Sequence, residues 1–591
     1  RPPLNSCCNK PVPQGKTLRY RPDILPGLLL AALLAASCHK SPPQDNSAIL
    51  CAGETTPIST VQGDGYYSPL EDREVAVRGI VTRVDPENGF YLEESGNGKP
   101  GSASRALFVA TDSVQFEPGM QIHLGGTVTE TGQRRDKLTT ITLPHSFELC
   151  SKNNVLPLTR TELPLDNPAR EALEGMRVSF GPGMVITDTY SMYRGVITLS
   201  PSGPQRVPTE DMAPGRKADE AARTNREHAL RARLPGLDFQ PAPAGTPIVE
   251  STGILGHDGR QQLLLLDRAI TGEMSLPEPI KPPLANGVRV VNSNLLNFFN
   301  GDGKGTGFPT ERGAETRIEF IEQKARTEAV MSALKPDLLA VQELENDGFG
   351  PLSAAASLLD VLENAVESKY AVVTPTSGRI GNDVITVGLF YRMDKLRPEG
   401  PAYTLDTPEF QQLSRQPLAQ VFRARGTNQK FLVAVNHLKS KGSCPESGPD
   451  SDQDDGQGCW NPARTAAVEA QMPWLNKLAA DAGTNHILVM GDMNAWRQED
   501  PIRSFRGHGM ADLVEQLDGL PQHSYRYFGQ SGTLDYVFAS PELAPLAISG
   551  TIWHINADWP RNMDLPAPWL RMSDHDPIVV DFDFTQASTS D

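Results

Sequence analysis

Positive charge is scarce in this chain. Lys and Arg number 55 against 72 Asp and Glu, a formal charge of −17 over 591 residues. That excess argues against loose electrostatic attachment to nucleic acid or anionic membranes. It leaves a polyanionic substrate open, because a carboxylate cluster that holds a divalent cation reads as negative when the ion is not counted. Membrane-length apolar runs are also missing: "ILPGLLLAALLAAS", Ile24 to Ser37, is too short to span a bilayer. The seven cysteines form no CxxC pair and have no nearby His pair, which weakens a zinc reading. The 51 Gly and 50 Pro follow no period, so collagen is excluded and a turn-rich, β-containing chain is expected.

What is present begins with an address. Lys16, Arg19 and Arg21 precede the apolar run and small residues follow it, as in a secretory signal. "LLAASC" resembles a bacterial lipoprotein signal in which Cys38 becomes the lipidated first residue, although Ala35 stands where Leu is usual. Lipidation and simple cleavage both stay open. Residues 1–38 read as a leader; the first residue is Arg rather than Met, and the start is expected inside this segment. Export is the expectation: an outer-membrane lipoprotein, or a periplasmic or extracellular protein, touching a membrane only through such an anchor. Beyond Cys7, Cys8 and Cys38, four cysteines remain: Cys51, Cys150, Cys444 and Cys459. An even remainder in an exported chain favours disulfides, and local pairing is the simplest connectivity.

The length suggests roughly three or four domains. Residues 39–50 read as a linker. From 51 to 150, runs such as "EVAVRGIVTRV", "GFYLEE", "ALFVATD" and "QIHLGGTVTET" alternate between turns, which predicts an all-β module, a small barrel. Residues 151–280 form a second β-rich region with "GMRVSF", "GMVITDTY", "GVITLS" and "QQLLLLD". A polar insert from Pro201 to Pro247 interrupts it, with Arg216, Lys217, Arg223, Arg226, Arg231 and Arg233; such a run is usually a solvated helix or loop, with a DNA contact as the alternative. After a Pro-rich linker, strands alternate with amphipathic helices over 285–585, which predicts an α/β domain.

Polar residues in that domain collect at strand ends. Asn294 lies at the end of "VRVVNSN", Glu343 follows "DLLAVQ", and His437 follows "FLVAVN". Asp492 and Asn494 follow "HILVMG", Asp535 precedes "YVFAS", and Asp574 with His575 precedes "PIVVDF". Strand ends and their loops form the rim of a layered α/β protein, where such groups converge. The stretches "NSNLLNFF", "LLAVQELEN", "GNDVITVGLFYR", "SRQPLAQVF", "VNHLKSKGSC", "GQGCWNPAR", "GDMNAW", "LDYVFAS" and "SDHDPIVVDF", in this order, resemble the endonuclease/exonuclease/phosphatase superfamily of DNase I-like fold, within it the bacterial extracellular endonucleases. The barrel segment, including "ISTVQGDGYYSPLEDREVAVRGIVT", is similar to the OB-fold-like domain ahead of the catalytic domain in such nucleases.

The resemblance implies a four-layer α/β sandwich with a divalent-metal site at one edge. It implies that Asn294, Glu343 and Asp574 hold Mg²⁺, or Ca²⁺ or Mn²⁺ in its place; oxygen ligands suit such hard cations. His575 would act on the attacking water, with Asp535 fixing its tautomer. His437 would serve the phosphate or the departing oxygen, and Asp492 and Asn494 would position water and phosphate. Which histidine is base and which is acid stays open. Arg392, Arg415, Lys439 and Arg464, with Arg379 and Asp383, are candidates for substrate phosphates, although structural ion pairs explain them as well. The Asp-rich loop between Cys444 and Cys459 superficially suggests calcium, but its glycine falls one place late for the EF-hand pattern.

The expected activity is metal-dependent hydrolysis of phosphodiester bonds in DNA, with RNA as a second substrate and no obligate protein partner. Two other readings stay open: a phosphodiesterase or phosphatase acting on a phospholipid or inositol phosphate, and a non-catalytic surface lipoprotein that binds DNA. Asp576 has no expected role beyond its turn.

Overall fold

A computed structural model describes residue 51 and residues 53–585, apart from 97–100, 113–114, 134–135, 202, 237–238, 250, 270–273, 412–413 and 428. The leader, Cys38 and the linker lie outside the described residues. Strands β1 (Glu74–Asp85), β2 (Gly89–Glu93), β3 (Ala106–Ala110), β4 (Gln121–Gln133) and β5 (Asp136–Ser151) close into a barrel in the order β1-β2-β3-β5-β4. Val77, Val81, Phe90, Leu92, Leu107, Val109, Leu124 and Ile141 fill it, as the period of two along each strand dictates. A disulfide joins Cys51 to Cys150 at its end, and another joins Cys444 to Cys459.

The second region supplies β6 (Thr159–Thr161), β7 (Arg177–Phe180), β8 (Val185–Asp188), β9 (Val196–Ser200), β10 (Gln205–Arg206), β11 (Leu230–Arg233), β12 (Thr252–His257) and β13 (Gln262–Leu266). All but β10 form a seven-stranded sheet ordered β6-β7-β12-β13-β11-β9-β8. Tyr91 and Leu138 of the barrel pack with Ile254, Leu263 and Leu265, so barrel and sheet share a small core.

The remaining strands are β14 (Val288–Phe298), β15 (Leu338–Glu345), β16 (Tyr370–Val372), β17 (Ile385–Arg392), β18 (Leu396–Thr404), β19 (Leu418–Ala424), β20 (Lys430–His437), β21 (Ile487–Asp492), β22 (Ala511–Asp512), β23 (Tyr525–Tyr527), β24 (Gln530–Gly532), β25 (Asp535–Ala539), β26 (Ala547–Ile552) and β27 (Ile578–Phe582). Two six-stranded sheets result, β16-β17-β15-β14-β27-β26 and β18-β19-β20-β21-β25-β22. Val290, Ala340 and Leu389 of one face Val433, Met490 and Val537 of the other across a shared core. The alternate residues Val291, Leu339 and Val341 pack under helices Arg317–Leu334 and Ala354–Val366. Ala434, Val489 and Phe538 pack under helices Asn461–Ala482 and Asp500–Gly507. Burial on both faces explains why these strands read as continuous apolar runs, and the product is four layers: helix, sheet, sheet, helix.

The insert corrects one expectation. Its helix Arg216–Glu227 is largely solvated, as a charged run should be, but the chain just before it is not. β10 adds in parallel to β24, which pairs with β23, so the second region joins the C-terminal part of the chain through a small three-stranded sheet. Glu210 is fully buried there and accepts from Thr533 N at 2.6 Å, and Thr209 Oγ1 donates to Glu499 Oε1 at 3.0 Å. Docking against another domain leaves no local signal in a polar stretch.

Candidate active site

Strand register builds half of the site. β20 and β21 run parallel with His437 opposite Asp492, and β21 and β25 run antiparallel with Asp492 opposite Asp535, so three polar residues stand in one row at a sheet end. His575, entering β27 from the facing sheet, places Nδ1 2.7 Å from Asp535 Oδ2. Asp492 Oδ2 lies between the histidines, 3.6 Å from His437 Nε2 and 4.0 Å from His575 Nε2. Asn294 Nδ2 donates to Glu343 Oε1 at 3.3 Å and to Asp492 Oδ2 at 3.4 Å, bridging the two sheet ends. Asn494 N donates to Asp492 Oδ1 at 2.9 Å, and its side chain donates to Leu438 O at 3.1 Å, which fixes the loop after His437. Glu343 and Asn494 hold φ at 61° and 47°; non-glycine residues in this region carry strain of the kind that clusters at functional sites.

The electrostatics divide the two histidines. Burial, reinforced by the positive charges of Arg415 and His575, holds His437 well below the usual imidazole range. Burial opposes the charge on His575 as well, but Asp535, Asp492 and Asp574 outweigh it and hold that imidazole well above its usual range. Burial also pushes Asp492 up to about 7, with His575 pulling the other way. Glu343 is raised by burial and then by the charge of Asp574. His437 Nδ1 and Asp535 Oδ1 are buried without a hydrogen-bond partner, unusual for native polar atoms and expected where a ligand completes the set.

Two carboxylates and an amide, Glu343, Asp574 and Asn294, offer oxygen ligands that suit a hard divalent cation, and the repulsion between Glu343 and Asp574 is what such an ion would relieve. Asp492, Asp535 and His575 also lie within metal-ligand reach of one another, but the short His575–Asp535 bond makes them better suited to holding a proton. A second cluster, His523, His554 and Asp576, has its two rings stacked at 4.2 Å and only 10° apart. Each ring bonds its own carboxylate, Asp558 at 3.0 Å and Asp576 at 3.1 Å, so their lone pairs run side by side and do not converge on one ion.

Several supporting residues gave no sequence signal. Ser524 Oγ donates to Asp535 Oδ2 at 2.7 Å and accepts from Leu534 N and Asp535 N, while its carbonyl accepts from Asp576 N. Asp576 Oδ1 accepts from Asn556 N and Ala557 N, and Asn556 Nδ2 donates to His575 O at 2.6 Å. Asp576 therefore staples the loop that carries Asp574 and His575, a role the turn reading missed. Tyr525 packs its ring 4.5 Å from that of His575.

Among the phosphate candidates, Arg392 is a correction. β17 runs antiparallel to β15, so Arg392 lies at the far end from Glu343, paired with Asp337 at 2.9 Å and Asp394 at 2.8 Å. Arg415 is beside the site: its N donates to His437 O and its Nε to Asp383 Oδ2 at 3.0 Å. Lys439 Nζ donates to the carbonyls of Ser440 and Gly442 and sits 4.9 Å from the Trp460 ring. Arg464 is fully buried, donates to Lys439 O at 3.1 Å, and leaves Nε and Nη2 without partners. Arg379 makes no ion pair among the described residues. In the disulfide-tied loop, Asp450 and Asp455 accept from the backbone of Ala463 and Gln457, as turn residues do.

Several known proteins are similar to parts of this chain. A protein named deoxyribonuclease from Thioalkalivibrio sp. (strain K90mix) is 24% identical over 268 residues, which cover 42% of this chain and 63% of that relative, less than two thirds of its length. The human Nocturnin catalytic domain superposes with a TM-score of 0.33 at 20% identity, covering 51% of this chain and 96% of that one. A mannosyl-6-phosphatase of Bacteroides thetaiotaomicron gives 0.35 at 17%, covering 50% of this chain and 100% of that one. Residues 312–575 match the Endonuclease/Exonuclease/phosphatase family. That match lies within the four-layer α/β part of the chain and covers less than half of the 591 residues.

Proposed function

We propose that this chain is a metal-dependent hydrolase of phosphodiester bonds in DNA, with RNA as a second substrate. The observation that carries the reading is the pair of histidines on either side of Asp492, at 3.6 and 4.0 Å, shifted in opposite directions by their surroundings and set beside an oxygen-rich edge. Asn294, Glu343 and Asp574 would hold Mg²⁺ or a similar cation. Such an ion supplies positive charge at the nonbridging phosphate oxygens.

The remaining chemistry belongs to the chain. A phosphodiester is shielded by its own charge, so attack by water needs a positioned acceptor for the water proton and donors at the phosphate. Asp535 accepts from His575 Nδ1–H and the surrounding carboxylates stabilise the imidazolium, so it is the fraction of His575 that is neutral, with its proton on Nδ1, that would present Nε2 to the water proton. Neutral His437 keeps one ring N–H to give to the phosphate or the departing oxygen. Asn494 and Asp492 hold the row in register.

Export and an OB-type barrel are part of this reading. Two disulfides support an oxidising compartment, and the closed strand order β1-β2-β3-β5-β4 supports the OB assignment. The test is supercoiled plasmid with Mg²⁺, an EDTA control, and parallel reactions with sphingomyelin and an inositol phosphate. Nicking that needs Mg²⁺ is expected. Turnover of a lipid or phosphomonoester with intact plasmid would contradict the reading.

A further inference from the structure

The turn between β8 and β9 carries two tyrosines and an arginine beside the catalytic loop. Arg561, on the segment leading to Asp574, places its guanidinium carbon 3.9 Å from the Tyr190 ring centre and 5.0 Å from that of Tyr193, and donates to the Tyr193 hydroxyl at 3.1 Å. Arg194 covers the same Tyr193 ring at 5.0 Å. Neither arginine has a carboxylate oxygen within 4.0 Å among the described residues. Tyr190 is 54% exposed and Arg194 is exposed.

This cluster adjoins the active site. Arg571, on the same segment as Arg561, is buried and donates to Asn556 O at 2.6 Å, and Asn556 Nδ2 donates to His575 O at 2.6 Å. Thr189 Oγ1 donates to Asp558 O at 3.1 Å, which fastens the turn to the catalytic domain. On the other flank, the hairpin β23–β24 has Tyr525 at its root on His575, and Tyr527 and Phe528 at its tip, 56% and 71% exposed. Gly529 packs against Thr187 so closely that a Cβ there would lie 2.8 Å from Thr187 Oγ1, bringing the hairpin tip next to the turn.

We propose that Tyr190, Arg194 and Arg561 form a binding surface for a single strand of nucleic acid running from the catalytic site onto the second β region. The inference rests on the hydrolase reading above and adds where the polymer lies. An aromatic face with unpaired guanidinium groups gives stacking for a base and charge for the neighbouring phosphate, and stacking serves unpaired bases only. It also supplies affinity that a strongly acidic surface cannot gain by general charge.

The test is fluorescence anisotropy of a labelled oligothymidine and of a base-free oligomer of the same length, titrated with the full chain in EDTA over a series of salt concentrations. The wild type is expected to bind the oligothymidine about tenfold more tightly than the base-free strand. Arg194→Gln/Arg561→Gln is expected to weaken binding about tenfold and to lower the slope of log K against log salt by about 1.4, two phosphate contacts on a single strand. Should Arg561→Gln fail to fold, Arg194→Gln alone lowers the slope by about 0.7. Unchanged slopes in these variants, or equal affinity for the two strands, would overturn the inference. Failure of the wild type to cleave any nucleic acid with Mg²⁺ would instead overturn the functional reading beneath it.

Discussion

Two of the places where this protein buries carboxylates differ in what surrounds them. Where the barrel meets the second region, Glu174 Oε1 accepts from Thr139 N at 2.8 Å and Gln62 Nε2 at 3.2 Å, and Glu130 accepts from Ser68 N and Thr139 Oγ1. At the sheet ends, Asp492 and Asp535 face two histidines, an amide and unpartnered buried atoms. Burial pushes Glu174 up to about 8 and Asp492 up to about 7, so a displaced proton affinity by itself does not mark a site. Glu174 is satisfied by groups that do not titrate and stays a neutral fastener. Asp492 shares its surroundings with groups that exchange protons, and that is the chemical difference.

The largest effect expected from breaking this contrast is chelation. EDTA should abolish plasmid nicking, with Mg²⁺ restoring it, read on an agarose gel; Asp574→Ala should move the Mg²⁺ midpoint to higher concentration. Next, Asp535→Asn should lower turnover by about 10³, because an amide can present N–H to Nδ1 and reverse the tautomer of His575. Steady-state nicking rates check this, with circular dichroism to confirm the fold.

Smaller effects fall on the barrel side. Removing the Cys51–Cys150 link, which spans 99 residues, should cost about 4.7 kcal/mol by the loop-entropy account, seen as a lower midpoint in urea for Cys51→Ala/Cys150→Ala. The smallest is Glu174→Gln. The folded affinity of Glu174 for its proton, at about 8, exceeds the ordinary 4.5, so its stabilising contribution is complete below pH 4.5 and is lost as pH rises through 8. The Gln variant should therefore melt a few degrees above wild type at pH 8 and lose that advantage towards pH 5, by calorimetry.

The same contrast explains what the sequence revealed. Asn294, Glu343, His437 and Asp492 close runs buried on both faces and Asp535 and Asp574 open them, and because strands of that kind put their ends at a rim the sequence alone groups these residues as candidates. Arg392 misled because a strand's direction is not written in its residues: β17 runs antiparallel to β15 and carries Arg392 away from the site. Ser524, Asn556 and Asp576 were invisible because their partners lie on other segments, met only once β25 and β27 are in place. Glu210 was hidden in a polar insert whose burial depends on docking to a distant segment.

The most direct test of the account compares two substitutions in one assay, the rate of supercoiled plasmid nicking with Mg²⁺ by His575→Ala and by Glu174→Gln beside wild type. The account predicts a loss of about 10³ for His575→Ala and no change for Glu174→Gln. Undiminished nicking by His575→Ala would contradict it.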